Sequence, residues 1–316
     1  MPGEFDIIRE YFAAGGLQRD DVLVGIGDDG AAVQTQDTPL VLAVDALVEG
    51  VHFPIGTPAR AIGHRAVAVN LSDLAAMAAT PAWVTLALAL PRAEPTWLAD
   101  FAAGFFELCE AHQVQLIGGD TVRGPMQITV QAAGHSAQPL CRSGGQAGDD
   151  VYVSGYVGDA AGGLRLFGRD ESSHPLVQRF LYPTPRVELG SSLSAWASAC
   201  IDVSDGLAVD ARHLASASGA GMTLMLDRLP LSDALCAAFG PDEAQYLALN
   251  GGDDYELCFS VPAARRDAFT DWCDAQGHVV TRIGQLEAGD SLTLKDRGEA
   301  VSRTLSGFDH FAEDGG

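Results

Sequence analysis

The strongest constraint on the fold is an alternation of strand-like and helix-like segments along most of the 316 residues. Short apolar runs predict strands, and apolar residues spaced three to four apart predict helices. In the first part of the chain, the predicted strands are 40–44, 83–90, 114–117 and 128–132, and the predicted helices are 58–79 and 96–112. This alternation indicates a sheet covered by helices.

A turn-rich stretch at residues 134–150 interrupts the alternation, with glycine, serine and proline on both sides of Leu140–Arg142. The alternation then resumes, with predicted strands at 151–154, 199–203 and 255–261 and predicted helices at 159–167, 186–197, 207–217 and 263–275. Asp159 is expected near the start of its helix. The sequence therefore predicts an α/β (α+β) protein of two domains, residues 1–138 and 139–316.

Composition excludes several classes of function. The chain has 42 acidic and 19 basic residues and a net charge of -23, which argues against binding to nucleic acid or to an anionic membrane. Lys295 is the single lysine, and no phosphate-binding P-loop sequence surrounds it. The six cysteines form no Cys-x-x-Cys pair, and the apolar run 82–90 is far shorter than the ~20 residues of a membrane helix. We therefore expect a soluble, cytoplasmic protein.

One glycine motif resembles a dinucleotide-binding fingerprint but lacks the required context. Gly25, Gly27 and Gly30 have Gly-x-Gly-x-x-Gly spacing, and Asp45 follows 20 residues after Gly25. Both variable positions between Gly27 and Gly30 are aspartate, whose charge would repel a pyrophosphate. The residues after Gly30 also predict a turn instead of the crossover helix. A dinucleotide oxidoreductase is therefore disfavoured.

Aspartates beside glycines or at the ends of apolar runs are the most informative pattern. Six such sites occur: Gly27–Gly30, Val44–Asp45, Asn70–Asp73, Gly118–Thr121, Ile201–Gly206 and Gly251–Glu256. A single Gly-Asp pair is typical of a turn or a helix N-cap. Six sites, several at predicted strand ends, favour instead a shared ligand site.

Carboxylates that converge on one site remain ionised together only when cations neutralise them. Oxygen ligands of this kind favour Mg²⁺, which commonly bridges to phosphate oxygens. An aspartate-rich site without a P-loop lysine therefore predicts metal-mediated nucleotide binding. Arg142 is compatible either with a phosphate contact or with an ordinary surface position. His52 follows a predicted strand and by itself is compatible with a structural role.

At these residues the chain resembles the thiamine-monophosphate kinase family. The resemblance starts at Gly3–Phe5 and covers nearly the whole chain. Its main motifs are Gly25–Asp29, Ala68–Met77, Pro81–Trp83, Leu116–Thr121, Arg142–Gly144, Ile201–Leu207, Asp254–Leu257 and Gly307–Phe311. Gly118–Thr121 is shared across a superfamily that includes aminoimidazole-ribonucleotide synthetase, selenophosphate synthetase and HypE. Asp254–Leu257 and the C-terminal motif are more specific to the thiamine enzymes.

The resemblance implies ATP-dependent phosphorylation of thiamine monophosphate to thiamine diphosphate by direct in-line transfer. It also implies several Mg²⁺ ions, a K⁺ requirement and a homodimer. The expected fold is PurM-like, with an N-terminal metal- and ATP-binding domain whose sheet forms a barrel across the dimer, and a larger C-terminal α/β domain.

The resemblance assigns roles by position. The expected metal ligands are Asp29, Asp45, Asp73, Asp120, Asp202 and Asp205. Of these, Asp120, Asp45 and Asp205 are expected to be catalytic. The expected nucleotide contacts are Gly119, Asp120, Arg142 and Ser204. The expected substrate contacts are His52, Asp253 and Phe308.

Two alternatives remain open from the sequence. A non-catalytic protein that binds nucleotide or metal would show the same aspartates, and so would another ATP-dependent enzyme of the superfamily. Selenophosphate synthetase is disfavoured because no cysteine precedes Cys109 and no lysine precedes Lys295.

Overall fold

The structure is a computed structural model that describes residues 3–13, 15–27, 30–169 and 173–308. The chain divides into two compact units, Met1–Pro139 and Leu140–Gly316. Each unit contains a β-sheet and helices, which confirms the predicted α/β class. Among the residues described, no helix combines the length and the apolar character that crossing a bilayer requires.

The N-terminal unit is built on a four-stranded sheet in the order β3-β6-β4-β5. Its elements are α1 (Glu4–Ile7), a π-helical segment (Ile8–Ala13), β1 (Val22–Val24), β2 (Ala32–Val33), β3 (Leu40–Val48), α2 (Ala59–Ala76), β4 (Thr80–Leu90), α3 (Pro95–Ala111), β5 (Gln115–Arg123) and β6 (Gln127–His135). Strands β4 and β5 are parallel, and the other pairs of this sheet are antiparallel. β2 follows the glycine motif directly and pairs with β1, so a strand stands where a dinucleotide site needs a helix.

Helix α2 is buried on nearly every side, because it packs against both the sheet and α3. A helix surrounded by protein in this way needs small and apolar residues around its whole circumference. Two glycines permit the close approach of the two helices. A Cβ atom on Gly63 would lie 2.1 Å from the carbonyl oxygen of Phe101, and one on Gly104 would lie 1.9 Å from that of Arg60.

The C-terminal unit is built on a seven-stranded sheet in the order β13-β12-β9-β11-β7-β10-β8. Its elements are β7 (Asp150–Ser154), α4 (Asp159–Leu166), α5 (Pro175–Leu181), α6 (Val187–Leu193), β8 (Ala199–Asp202), α7 (Leu207–Ala217), β9 (Gly221–Met225), α8 (Asp233–Phe239), α9 (Pro241–Asn250), β10 (Leu257–Val261), α10 (Arg266–Gln276), β11 (Val280–Glu287), β12 (Leu292–Asp296) and β13 (Glu299–Val301). Short 3₁₀ helices lie at Leu226–Arg228 and Ala263–Arg265.

The two faces of this sheet pack differently. One face contributes Ile201 and Leu224 to a buried cluster that also contains Leu214 of α7. On the opposite face, Tyr152 and Phe259 stack with a ring-centroid distance of 5.8 Å, and Phe269 of α10 packs against both rings. Helix α7 and helix α10 therefore lie on opposite sides of the sheet.

Several predicted elements are shorter than expected, two of them for a clear local reason. The predicted helix 186–197 ends at Leu193, because the chain then turns and the Trp196 amide bonds to the Leu193 carbonyl. The predicted strand 255–261 begins at Leu257, because Tyr255 has a φ of +52°. That angle lies in the left-handed region and is incompatible with a regular strand.

Candidate active site

The end of β8 and the loop that follows it carry three of the predicted site residues, and Asp210 fixes this loop. Strand β8 ends at Asp202, and one carboxylate oxygen of Asp210 accepts the backbone N–H groups of Ser204, Asp205 and Gly206, each at 3.1 Å. Burial raises the pKa of Asp210 to about 7, and the negative charges of Asp202 and Asp205 add to the effect. The loop therefore concentrates carboxylates that repel one another.

A second loop lies directly against the first. The Asp253 amide donates to the Ser204 carbonyl at 2.8 Å, and the Tyr255 amide donates to the Val203 carbonyl at 2.9 Å. Asp253 has a φ of +66°, a conformation that is uncommon for any residue other than glycine. A Cβ atom on Gly252 would lie 2.3 Å from the Ser204 carbonyl oxygen, so this close approach requires glycine. Strained backbone of this kind is common at ligand sites.

The end of the described chain packs on the same loop. The Phe308 amide donates to the Asp205 carbonyl at 3.1 Å, and the Ser306 amide donates to the Asn250 side chain at 2.7 Å. Phe308 remains 49% exposed. The structure thus brings together four residues predicted from the sequence, namely Ser204, Asp205, Asp253 and Phe308. The rest of the C-terminal motif, Asp309–Phe311, lies outside the described residues.

Asp254 has a structural role that the sequence analysis did not identify. Its two carboxyl oxygens accept the backbone N–H groups of Gly158 at 2.7 Å and Ala160 at 3.2 Å, at the start of α4. Asp159 is the first residue of α4, which confirms its expected position near the start of the helix, and Asp254 supplies the acceptors from a distant position in the sequence. Burial raises the pKa of Asp254 to about 8, although both backbone bonds and Arg179 act in the opposite direction.

Glu256 is fully buried between two arginines. It accepts hydrogen bonds from Arg179 and from Nε of Arg186, each at 2.6 Å, and from the hydroxyl of Ser154 at 2.5 Å. Arg179 also donates to the Asp254 carbonyl at 2.8 Å. Motif Asp254–Leu257 therefore anchors the Asp253 loop through buried charge pairs.

In the N-terminal unit, Asp45 and Asp120 lie on opposite edge strands. Asp45 is on β3, paired with Val130, and Asp120 is on β5, paired with Ala87. Both were expected after strand ends, but both lie inside strands, because β3 continues to Val48 and β5 to Arg123. Three strand spacings separate the two edges, about 14 Å in all. One cation cannot bind both carboxylates of the same chain across that distance.

The environments of these two carboxylates differ. Asp45 is partly buried, and this burial raises its pKa. Asp120 is exposed and follows Gly119. Gly119 has a φ of +154°, and a Cβ atom there would lie 1.9 Å from the Leu86 carbonyl oxygen. The glycine before Asp120 is therefore required by the packing of β5 against β4.

The remaining predicted residues are more dispersed. His52 lies in the turn after β3, and its Nδ1 accepts the Val48 amide at 3.0 Å. Asp73 lies in the last turn of α2 and is partly buried. Arg142 has an exposed side chain, and its carbonyl accepts the Ser218 hydroxyl at 3.0 Å. Asp29 lies outside the described residues.

The donor chemistry fits Mg²⁺, although no closed metal site is formed. Within the residues described, no group of three or more His, Cys, Asp or Glu side chains is arranged to hold an ion. The candidate ligands are nevertheless carboxylates, which Mg²⁺ prefers. The repulsion among carboxylates around Asp210 and the partial burial of Asp45 are the features that a bound cation would relieve.

Comparison with protein families gives matches to both units. The family model for the AIR synthase related protein, N-terminal domain, matches residues 27–136. The model for the AIR synthase related protein, C-terminal domain, matches residues 146–297. A thiamine-monophosphate kinase from Salmonella typhimurium is 42% identical over 320 residues, covering 98% of this chain and 98% of the relative.

Two solved structures are similar to this chain. A thiamine-monophosphate kinase from Stenotrophomonas maltophilia K279a has a TM-score of 0.83 and 47% identity, with 90% of this chain and 93% of that chain covered. AaThiL complexed with AMPPCP and TMP has a TM-score of 0.78 and 34% identity, with 90% and 92% covered.

Proposed function

The chain belongs to the thiamine-monophosphate kinase family, and on that premise we propose that it transfers the γ-phosphoryl group of ATP to thiamine monophosphate, yielding thiamine diphosphate. The observation that carries the proposal is the cluster at the end of β8, where Ser204, Asp205, Asp253 and Phe308 lie together. A relative bound to AMPPCP and TMP supports this pair of substrates.

This reaction joins two anions, so its main physical obstacle is charge repulsion. Phosphoryl transfer depends on positioning and charge neutralisation more than on covalent catalysis. Several bound Mg²⁺ ions would neutralise the phosphate oxygens and the carboxylates. The residues proposed to hold these ions are Asp29, Asp45, Asp73, Asp120, Asp202 and Asp205. A K⁺ requirement is also part of the proposal.

The chain's own groups would orient the two substrates. Ser204 and Gly119 supply small polar or backbone contacts to the nucleotide, and Arg142 supplies a guanidinium to its phosphates. Asp253 is held by the Ser204 carbonyl, and a carboxylate there suits the cationic rings of thiamine monophosphate. The half-exposed ring of Phe308 is available for stacking on them. His52 is the remaining proposed substrate contact.

We also propose that the protein is a homodimer formed through the N-terminal sheet. Edge strand β3 exposes three apolar side chains on one face, with Leu40 at 42%, Leu42 at 55% and Val44 at 63% exposure. A long apolar edge strand is prone to association with another chain. In a dimer with two-fold symmetry, the same residues of a second copy would cover this face. Such a pairing is consistent with a barrel made from the N-terminal sheets of the two copies.

The proposed location is the cytoplasm. All six cysteines are free thiols, which agrees with a reducing compartment. No partner of nucleic acid or membrane type is proposed, because the net charge of -23 disfavours binding to either polyanionic surface.

A single replacement tests the proposed site. The Asp120→Asn variant keeps the size of the side chain but removes its charge, and we expect kcat to fall by about two orders of magnitude or more. The assay measures thiamine diphosphate formed from ATP, Mg²⁺ and thiamine monophosphate. Asp100→Asn, an exposed change on α3, is the matched control and should leave kcat unchanged. A folded Asp120→Asn protein with normal kcat would remove Asp120 from the mechanism.

A further inference from the structure

A cavity on the C-terminal sheet is lined by an unusual concentration of basic side chains. It has a volume of about 350 Å³ and lies over β9, β11 and β12. Its charged lining residues are Arg228, Arg282, Lys295, Arg297, Asp227 and Glu287, and we call it the basic cavity. This volume is within the range of roughly 300–1,000 Å³ that is typical of small-molecule sites.

The position of the basic cavity follows from the packing of the sheet. On β9 and β12, Leu224 and Leu294 face the buried core, and alternation along the strands turns Thr223 and Lys295 to the opposite face. On that face, α10 packs against the rings of β7 and β10. Strands β9, β11 and β12 form another part of this face, and the basic cavity lies over them.

The charge balance of the basic cavity is opposite to that of the chain. Four of the 19 basic residues line it, among them the single lysine, in a protein with a net charge of -23. Two carboxylates, Asp227 and Glu287, also line it, so the lining carries a formal charge of +2. A local positive potential inside a strongly negative protein attracts small anions, whereas the surrounding surface repels large polyanions.

The two carboxylates are already engaged with the protein. Asp227 accepts the backbone N–H of Arg297 at 3.1 Å, which fixes the turn between β12 and β13. Glu287 accepts the hydroxyl of Thr223 at 2.7 Å. Both therefore orient the walls of the basic cavity while leaving its cationic groups available.

The cationic groups are partly preorganised. Arg282 donates from Nε to Asp150 at 2.6 Å, and Asp150 is also bound by Arg266, so the Arg282 side chain is held in place. No carboxylate within the described chain forms an ion pair with Arg228, Lys295 or Arg297. Three cations thus line the cavity beside one anchored guanidinium.

The basic cavity is distinct from the proposed active site. The loop of Ser204 and Asp205 follows β8, which is one edge of the sheet. Strands β10 and β7 separate β8 from β11, and β9 and β12 lie further away. At about 4.8 Å per strand, β9 lies roughly 19 Å from β8.

We propose that the basic cavity is a second ligand site, which binds a small molecule through a phosphate or diphosphate group. Guanidinium groups bind phosphate oxygens in pairs, and an ammonium group adds a compact charge. The three cations that form no ion pair within the described chain, Arg228, Lys295 and Arg297, supply positive charge for a terminal phosphate. The cavity's volume suits a small metabolite.

Titration calorimetry of the full-length protein without divalent metal tests this site, with inorganic pyrophosphate as the probe. Without metal, the acidic active site repels the probe. We expect one saturable site per chain, and Lys295→Ala and Arg297→Ala should each weaken binding about tenfold. Arg303→Ala is the matched control, an exposed arginine outside the cavity, and should bind as the wild type does.

Additional measurements identify the class of ligand and test whether each variant is folded. Titrations with ribose 5-phosphate and with inorganic phosphate distinguish a phosphate ester from a free anion as the ligand. Binding of either compound to the wild type, weakened by the same cavity replacements, supports the site. Lys295→Gln keeps a polar side chain and should fold even if the alanine variant does not. Thermal unfolding verifies that each variant is folded. The kinase turnover of Lys295→Gln should equal that of the wild type. Absence of saturable binding, or binding insensitive to both cavity replacements, would overturn the proposal.

Discussion

Asp210 is the residue on which the loop after β8 depends. Its carboxylate accepts three consecutive backbone N–H groups, those of Ser204, Asp205 and Gly206. Charged hydrogen bonds of this kind contribute about 1.5–3 kcal/mol each, with incomplete additivity. Asp210 therefore acts as a positioning residue for Ser204 and Asp205.

Replacement of Asp210 should impair activity through this loop. We expect Asp210→Ala to lower the free energy of unfolding by about 3 kcal/mol and kcat by about 10²-fold. Asp210→Asn retains one acceptor oxygen, so its free energy of unfolding and its kcat should lie between those of the wild type and of Asp210→Ala. Chemical denaturation and the kinase assay measure these effects, with Asp274→Ala on the exposed side of α10 as control. Wild-type kcat in folded Asp210→Ala would show that the loop does not need this carboxylate.

At the scale of single residues, the sequence predicted candidate site residues more readily than the residues that position them. Ser204, Asp205, Asp253 and Phe308 were predicted and lie together. Asp210 was not predicted, because an aspartate inside a helical segment resembles any other polar helix position. Only the fold shows that it reaches back to the preceding loop.

At the scale of elements, helix α4 and strand β10 are linked through Asp254. This buried carboxyl caps the start of α4 from the segment that leads into β10. Its pKa is raised from 3.8 to about 8, mainly by burial, so the folded state retains a proton that the unfolded chain releases. The stabilising contribution is present at low pH and is lost as the pH rises towards 8.

Stability should therefore depend on pH through Asp254. Between about pH 5 and pH 8, its titration lowers the free energy of unfolding by about 1.4 kcal/mol per pH unit. Asp254→Asn removes this titration, so its stability should decline less steeply over that window. Urea denaturation at several pH values measures the slopes, and Asp233→Asn on the exposed start of α8 should match the wild type. Equal slopes for the wild type and Asp254→Asn would contradict the raised pKa.

Most long elements were predictable, but their pairing was not. Helices α3 and α7 match their predicted ranges closely, because their apolar residues recur at helical spacing. Helix α2, which is apolar on nearly every side, was also predicted but ends three residues earlier. Strands β9, β11, β12 and β13 were not predicted, since several mix polar and apolar residues on a half-open face. The segment around Tyr255 was predicted as part of a strand. In the structure, Tyr255 has a positive φ and its amide donates to the Val203 carbonyl, so the strand begins after it.

At the scale of the whole molecule, the proposed dimer has a defined test. Leu42→Glu places a charge at the centre of the exposed apolar face of β3, and we expect it to convert the dimer to a monomer. Sedimentation velocity at micromolar concentration measures the change. Leu164→Glu, on the exposed side of α4, is a control with a similar starting exposure of 47% and should remain dimeric. A monomeric wild type would refute the dimer directly.

The overall charge could be interpreted from the sequence only in part. A net charge of -23 argues against nucleic acid and anionic membranes as partners, and the carboxylates around Asp210 account for a portion of that charge. The separation of Asp45 and Asp120 on opposite edges could not be predicted, because strand order is not encoded in any local pattern. The same is true of the basic cavity, which gathers residues from three strands.

The most direct test of the proposed function follows the phosphorus atoms themselves. Wild-type protein is incubated with ATP, Mg²⁺ and thiamine monophosphate, and ³¹P NMR records the reaction. The account predicts that the thiamine monophosphate signal is replaced by the paired signals of thiamine diphosphate, with one ADP formed for each. Folded protein that binds nucleotide but forms no thiamine diphosphate, or that releases only ADP and inorganic phosphate, would contradict it.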